Sequence, residues 1–344
     1  MNLDDIKIIP LMDTLHLQKI DDEEYFSKKY SNYISNSRLS LINPAQDGSP
    51  EKFFQGFKPT YSAAFDLGSG VHQMSLQGHL FEICETVDKP TAKMGALADR
   101  LYSTYKKGEV TDKDIIEQAI IVDYYGGNLS ESKMIAIREK CEPYWKGRKE
   151  FEESYTGDKE PLYFDPRSRQ IVHNCLDALN SNNKIQTLLH PKGLIEDPIS
   201  DTEQAILLDV SVEIEGYPKF ILKLKSKLDH YSIDKESNTI TVNDVKTIGK
   251  IVSEMGSNIE RFHYNREIAM YSWLLSLCAK KYYGMDCPTV KGNYLVVSTI
   301  PGHYTKVIPM TKKMFKEGWD EFEQLLKLVA KHVATEHHDF AEWI

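Results

Sequence analysis

From Phe220 onward the chain alternates apolar and polar positions: Phe220, Leu222, Leu224 and Leu228 fall on one side, Lys223, Lys225, Lys227 and Asp229 on the other. A period of two predicts a strand with one buried face, running from Lys219 to Ile233. The polar run Asp234-Lys235-Glu236-Ser237-Asn238 then predicts a turn, and Thr239 to Ile248 a second strand antiparallel to the first. Upstream, Ala205 to Glu215 is rich in Ile, Leu and Val and ends at Gly216-Tyr217-Pro218, so three strands in a meander are expected. Downstream, helical spacing runs through Ile259 to Ala279. Short apolar runs at Tyr294–Ser298 and near Tyr304–Ile308 read as strands, and Met314 to His332 as a closing helix. The first 60 residues are polar and turn-rich, with a short helix expected near Ser37 to Ile42. Residues 61–185 are mostly helical in pattern, and the character changes after Asp197-Pro198.

These elements predict an α/β (α+β) protein with a central sheet flanked by helices and an α-rich N-terminal part. The expected organisation is an arm over residues 1–60 followed by one domain over 61–344, itself a helical layer (61–198) and a sheet with its helices (199–344). A chain of 344 residues with 41% hydrophobic content can bury such a core. Charges at Asp4, Asp5 and Lys7 interrupt any leader-like apolar run, and no stretch is long and apolar enough to span a bilayer. The five cysteines are widely spaced with no C-x-x-C pair, which argues against a zinc site or disulfide framework and fits a cytoplasmic location.

The chemistry concentrates at the expected hairpin. A turn near Glu236 sets Asp229 opposite Asn243 or Asp244, and directly opposed residues have Cα atoms about 4.5–5.5 Å apart. Asp244 and Lys246, two apart, share a face. Two adjacent carboxylates repel one another unless a cation lies between them, and a hard divalent ion such as Mg²⁺ prefers such oxygen ligands. A lysine beside them can orient an attacking water and offset developing negative charge. The tripeptide alone is weak evidence, since Glu131-Ser132-Lys133 fits the same pattern with no partner strand.

Asp229 at a strand end followed by Asp244-Val245-Lys246 on the next strand resembles the PD-(D/E)XK nuclease motif, and the wider pattern is similar to the phage RecE-like (exonuclease VIII-type) and RecB-like exonucleases over about residues 30–330. The resemblance implies a restriction-endonuclease-like core with a mixed sheet. It implies that His72, in Gly68-Ser69-Gly70-Val71-His72 at a helix start, Asp229, Asp244 and the Val245 carbonyl bind Mg²⁺, with Mn²⁺ able to substitute, and that Lys246 assists the nucleophilic water. Glu267-Ile268-Ala269-Met270-Tyr271 stands where the family carries a Q-x-x-x-Y helix, with Glu in place of Gln, so Glu267 and Tyr271 are candidates beside the site. The family's additional upstream acid falls to Glu203, Glu213 or Glu215, with Glu213 slightly preferred for its distance from Asp229. Ser37 and Arg38 lie in a segment similar to one that holds a terminal 5′ phosphate in related enzymes.

The implied activity is Mg²⁺-dependent hydrolysis of phosphodiester bonds at duplex DNA ends, 5′ to 3′, in phage-type recombination or repair. A RecT-like annealing protein is the implied partner and a trimeric or tetrameric ring the implied assembly. A structure-specific endonuclease on the same core and a non-catalytic DNA-binding scaffold are the rivals. A net charge of −9 counts against a polyanion binder, but carboxylates that hold cations contribute to that total and local field outweighs net charge. Lysines and arginines do cluster, at Lys223/Lys225/Lys227, Lys146/Arg148/Lys149 and Lys306/Lys312/Lys313/Lys316.

Overall fold

The computed structural model describes residues 2–56, 63–85, 88–90, 92–192 and 199–344. The chain is α+β and divides into two compact units: residues 1–57, 180–297 and 304–344 form the first, and 58–179 with 298–303 the second. The boundary expected at Asp197-Pro198 lies outside the described residues. Among the described residues no helix is long and apolar enough to cross a membrane.

The first unit is built on an eight-stranded sheet. Its spine is the expected meander: strand Ser200–Glu213 pairs antiparallel with Phe220–Asp234, which pairs antiparallel with Thr239–Ile248. The turn between the last two follows from its residues. Asp234 accepts hydrogen bonds from the Ser237 N–H and hydroxyl (3.2 and 2.6 Å), and Asn238 takes the left-handed φ of 47° that Asn tolerates. Gly216, at φ 83°, closes the preceding hairpin, where residues with a Cβ are disfavoured. Strand Thr289–Ser298 joins beyond Thr239–Ile248, and Thr305–Pro309 forms the edge. The N-terminal segment contributes to this same unit: Lys7–Pro10 and His16–Lys19 both pair antiparallel with Ser200–Glu213. Apolar residues at Ile6, Leu15, Ile34 and Phe53 are fully or almost fully buried in the core under the sheet.

Helix Tyr264–Tyr283 packs on the sheet and is apolar over most of its surface, as a core helix must be. The single helix expected from Ile259 is two, because His263 takes a left-handed φ of 55° and separates Met255–Arg261 from Tyr264–Tyr283. Gly284, at φ 66°, ends the second with its N–H donating to the Lys280 carbonyl. The closing helix, Lys312–Thr335, crosses close by: a Cβ at Gly318 would sit 2.2 Å from the Asn265 carbonyl oxygen, so only glycine permits this approach. Arg266, with no exposed surface, ties the helices together. Its guanidinium donates to Asn36 Oδ1 (2.8 Å), Ser40 Oγ (2.7 Å) and Glu321 Oε1 (3.0 Å). Such a charge is tolerable in the interior only because its donors are met.

The second unit is mainly helical, with a small parallel pair of strands, Phe81–Glu85 and Glu160–Phe164. Its core gathers Leu97, Leu101, Ile115, Ile137, Tyr144 and Trp145. Glu131-Ser132-Lys133 begins helix Glu131–Ser154. Helix Ala63–Gln77 carries Gly70 against the Phe164 ring, where a Cβ would lie 2.3 Å from the ring carbon Cζ.

Candidate active site

The hairpin register decides which side chains meet. His230 pairs with Asn243, so the next step of the ladder sets Asp229 opposite Asp244. The Asp229 carboxylate reaches across the strands and accepts the Val245 N–H at 2.8 Å. Lys246 bends back to donate to Asp244 Oδ1 at 2.8 Å and also pairs with Glu267 Oε2 at 3.2 Å. The Tyr271 hydroxyl donates to Glu267 Oε1 at 3.2 Å. Positions 267 and 271 are one helical turn apart, which stacks them on the helix face turned to the sheet. The structure therefore brings together Asp229, Asp244, Val245, Lys246, Glu267 and Tyr271.

Of the upstream acids, Glu203 rather than Glu213 lies beside Asp229. Thr202 pairs with His230 and Gln204 with Leu228, so Glu203 stands across from Asp229, and the two offer carboxylate oxygens within 4.8 Å of each other. Glu213 lies at the other end of the strand, next to the Val212–Phe220 pair, where it bonds Lys219 at 2.5 Å. Antiparallel pairing runs the strands in opposite directions, so the acid nearer Asp229 in sequence is the farther one in space. Glu215 lies in the turn beyond Glu213. Glu203 also takes a left-handed φ of 55°, a conformation that costs a residue with a Cβ and that the ladder nonetheless holds at this point.

Electrostatics follow from this crowding. Burial, then the like charges of Asp229 and Glu267, push the Asp244 carboxyl well above the usual carboxylate range. Burial alone would lower Lys246, but Asp244, Glu267 and Asp229 outweigh it and hold the amine as an ammonium. Asp244 is 1% exposed, and its Oδ2 is buried with no hydrogen-bond partner among the described residues. A carboxylate oxygen shut away from water without a donor is costly unless something cationic satisfies it. That orphaned oxygen lies on the hairpin that also carries Asp229, which offers a carboxylate oxygen within 4.8 Å of one from Glu203; carboxylate oxygens are what a hard divalent cation takes, so the residues fit such an ion.

Two expectations are corrected by position, the exposure of Arg38 and the helix start at His72. Arg38 is buried, not presented to a ligand: its guanidinium donates to the Ser31 and Phe53 carbonyls and lies against the Phe53 and Phe340 rings (4.9 and 4.8 Å), and burial pulls it down to about 10. Ser37 is exposed in the short helix Asn36–Ser40, which Ser35 caps. His72 lies in the second half of helix Ala63–Gln77, in the second unit, and not at a helix start.

The lysine row preceding Asp229 is also engaged internally. Lys223 pairs with Glu342 (2.5 Å) and Lys227 with Asp22 and Glu203 (2.6 and 3.0 Å). Lys225 donates to the Tyr25 carbonyl (2.7 Å) beneath the Tyr25 ring. Sequence reasoning missed the partner segment, Asp22–Tyr30, and the fully buried Arg266 next to Glu267. Only the acidic run Asp21-Asp22-Glu23-Glu24 signals a match for the lysines, and nothing in the sequence marks Arg266 as interior.

No protein-family model and no curated protein matches the chain. Among solved structures it is similar to the crystal structure of "Putative exonuclease" from Eubacterium rectale, with a TM-score of 0.46 and 12% identity over 95% of this chain and 90% of that one. That likeness is too distant to carry an assignment of activity.

Proposed function

We propose that the chain is a divalent-cation-dependent nuclease that hydrolyses phosphodiester bonds in DNA. The observation that carries this reading is the buried, unbonded Asp244 Oδ2 on a hairpin that also gathers Asp229, Glu203 and Lys246. A scaffold protein gains nothing from such a cluster and would bear its cost. Asp229, Asp244, Glu203 and the Val245 carbonyl would hold the cation, Mg²⁺ by preference with Mn²⁺ able to replace it. His72 is proposed as a nitrogen donor on the strength of the sequence resemblance. Bound there, the ion would supply Lewis-acid polarisation of a phosphoryl oxygen and acidify water.

The chain's own part in the reaction is positional. Lys246, kept as an ammonium by three carboxylates, donates hydrogen bonds and cannot serve as a base; it orients the attacking water and offsets the negative charge that builds on the phosphoryl oxygens. Glu267 holds Lys246 together with Asp244, and Tyr271 holds Glu267. By the same resemblance the substrate is a duplex end, the direction 5′ to 3′, the assembly a trimeric or tetrameric ring and the partner a RecT-like annealing protein.

The test is digestion of duplex DNA, labelled at either end, with Mg²⁺, Mn²⁺, Ca²⁺ or chelator, beside a covalently closed circle. Loss of the 5′ label first, only with Mg²⁺ or Mn²⁺ and only on linear DNA, is expected. Cleavage of the closed circle would replace the exonuclease reading by an endonuclease. Lys246→Gln should lower kcat about 10²–10³-fold, the size of losing one charge-stabilising donor, with an unchanged circular dichroism spectrum. A Lys246→Gln protein with wild-type turnover would remove Lys246 from the mechanism.

A further inference from the structure

We infer that Tyr264 is a positioning residue for Lys246, holding its ammonium against an aromatic face while Asp244 is committed to a cation; the inference rests on the nuclease reading above. Tyr264 opens helix Tyr264–Tyr283, one turn before Glu267, so its ring falls on the face that carries Glu267 and Tyr271. The Lys246 Nζ lies 4.7 Å from the ring centroid, within the range of a cation–π contact. The ring is itself braced, with Phe262 at 5.6 Å and Tyr294 at 6.4 Å between centroids, while the Tyr294 hydroxyl donates to Asn265 Oδ1 at 3.1 Å. The break at His263 is what aims it: the left-handed residue separates one helix from the next and makes position 264 the first of the helix that carries Glu267.

The three holders of Lys246 differ in one respect. Asp244 and Glu267 are carboxylates, and Asp244 stands in the donor set for the cation. A divalent ion sharing Asp244 would weaken its grip on Lys246 and would also repel the ammonium. The Tyr264 ring is no ligand for a hard cation, so its hold on Lys246 is independent of loading. Together with Glu267, which lies outside that donor set, it keeps the ammonium in place during turnover.

The experiment compares Tyr264→Phe, which keeps the ring, with Tyr264→Leu, which removes it, each also on the Lys246→Gln background, after thermal melts show the variants folded. Expected are a Phe variant within about twofold of wild type and a Leu variant with kcat down about tenfold, KM and the Mg²⁺ activation constant unchanged, and no further loss when Leu is added to Lys246→Gln. A readout free of catalysis accompanies it: the Lys246 ε-methylene protons should be shifted upfield by the ring current in wild type and Tyr264→Phe, with and without Mg²⁺, and not in Tyr264→Leu. A Leu variant with wild-type kcat, a Phe variant as slow as Leu, or a ring-current shift that vanishes on adding Mg²⁺ would each overturn the inference and leave the nuclease reading standing. A wild-type protein that cleaves no DNA with any divalent cation would sink both.

Discussion

Replacing Asp229 by asparagine should make the metal-free protein more stable and the metal-loaded protein less so. In the wild type, oxygens of Glu203 and Asp229 lie within 4.8 Å of each other. Two full charges at that separation repel by about 3.5 kcal/mol at an effective dielectric of about 20. Lys227, 3.0 Å from Glu203, offsets part of this, and about 2 kcal/mol of repulsion is expected to survive. The side-chain amide of Asp229→Asn keeps an acceptor for the Val245 N–H but a neutral one, a loss of about 0.5–1 kcal/mol. The net gain of about 1–1.5 kcal/mol corresponds to a rise in Tm of about 2–6 °C for a unit of this size. Metal reverses the order: at a concentration about 100 times Kd the wild type gains about 2.7 kcal/mol, which the variant should lack. Paired melting curves in chelator and in Mg²⁺ give all four values. A variant that melts below wild type in chelator would refute the repulsion argument, and a wild-type Tm indifferent to Mg²⁺, Mn²⁺ and Ca²⁺ would remove the cation from the site.

Arg38→Met should destabilise the fold by about 2–4 kcal/mol, since the Ser31 and Phe53 carbonyls lose their donor, yet leave the salt dependence of DNA affinity unchanged; denaturant melts and binding at several salt concentrations check both, and a shallower salt slope would return Arg38 to a phosphate-contacting role. Burial, helped by Arg38, lowers Lys225 to about 8, below the value of about 10.4 for an unfolded chain. Between those values the unfolded chain binds more protons, so this group's penalty is fully present below pH 8 and fades as pH rises toward 10. Lys225→Met should therefore raise Tm at pH 7, with an advantage that shrinks toward pH 10. An advantage that grows with pH would contradict the buried-ammonium account.

The sheet was legible because its signal is local. Phe220–Asp234 and Thr239–Ile248 alternate at period two, and the Asp234–Asn238 turn fixes their register, so the neighbourhood of Asp229 and Asp244 followed from counting. Glu203 was harder, because choosing it over Glu213 requires the register of a second hairpin whose turn, at Gly216, lies well away from both Glu203 and Asp229. Long-range matches were not legible at all. Nothing near Lys225 or Lys227 in sequence announces that residues 22–30 cover them, nor that Asn36, Ser40 and Glu321 converge on Arg266. The same lack misjudged Arg38: a lone arginine after Ser37 looks like a ligand-facing group, and only the packing of Phe53 and Phe340 against it reveals an interior one.

The paired lysines bear on how an acidic chain could act on DNA. Around the hairpin, the carboxyl groups of Asp22, Glu203, Asp229, Asp244 and Glu267 outnumber the ammoniums of Lys227 and Lys246. A divalent cation offsets that excess. Left bare, that site would repel a phosphate; loaded, it would not, so metal binding and substrate access become one electrostatic event. The row at Lys223, Lys225 and Lys227 adds little attraction, because carboxylates already pair with Lys223 and Lys227 and Lys225 is buried against the Tyr25 carbonyl. Affinity for DNA should accordingly depend on the divalent cation far more steeply than a basic-patch binder's would, and Ca²⁺ should support binding without turnover. Filter binding of duplex DNA across a Ca²⁺ titration checks this, and an affinity unchanged between chelator and saturating Ca²⁺ would refute the coupling.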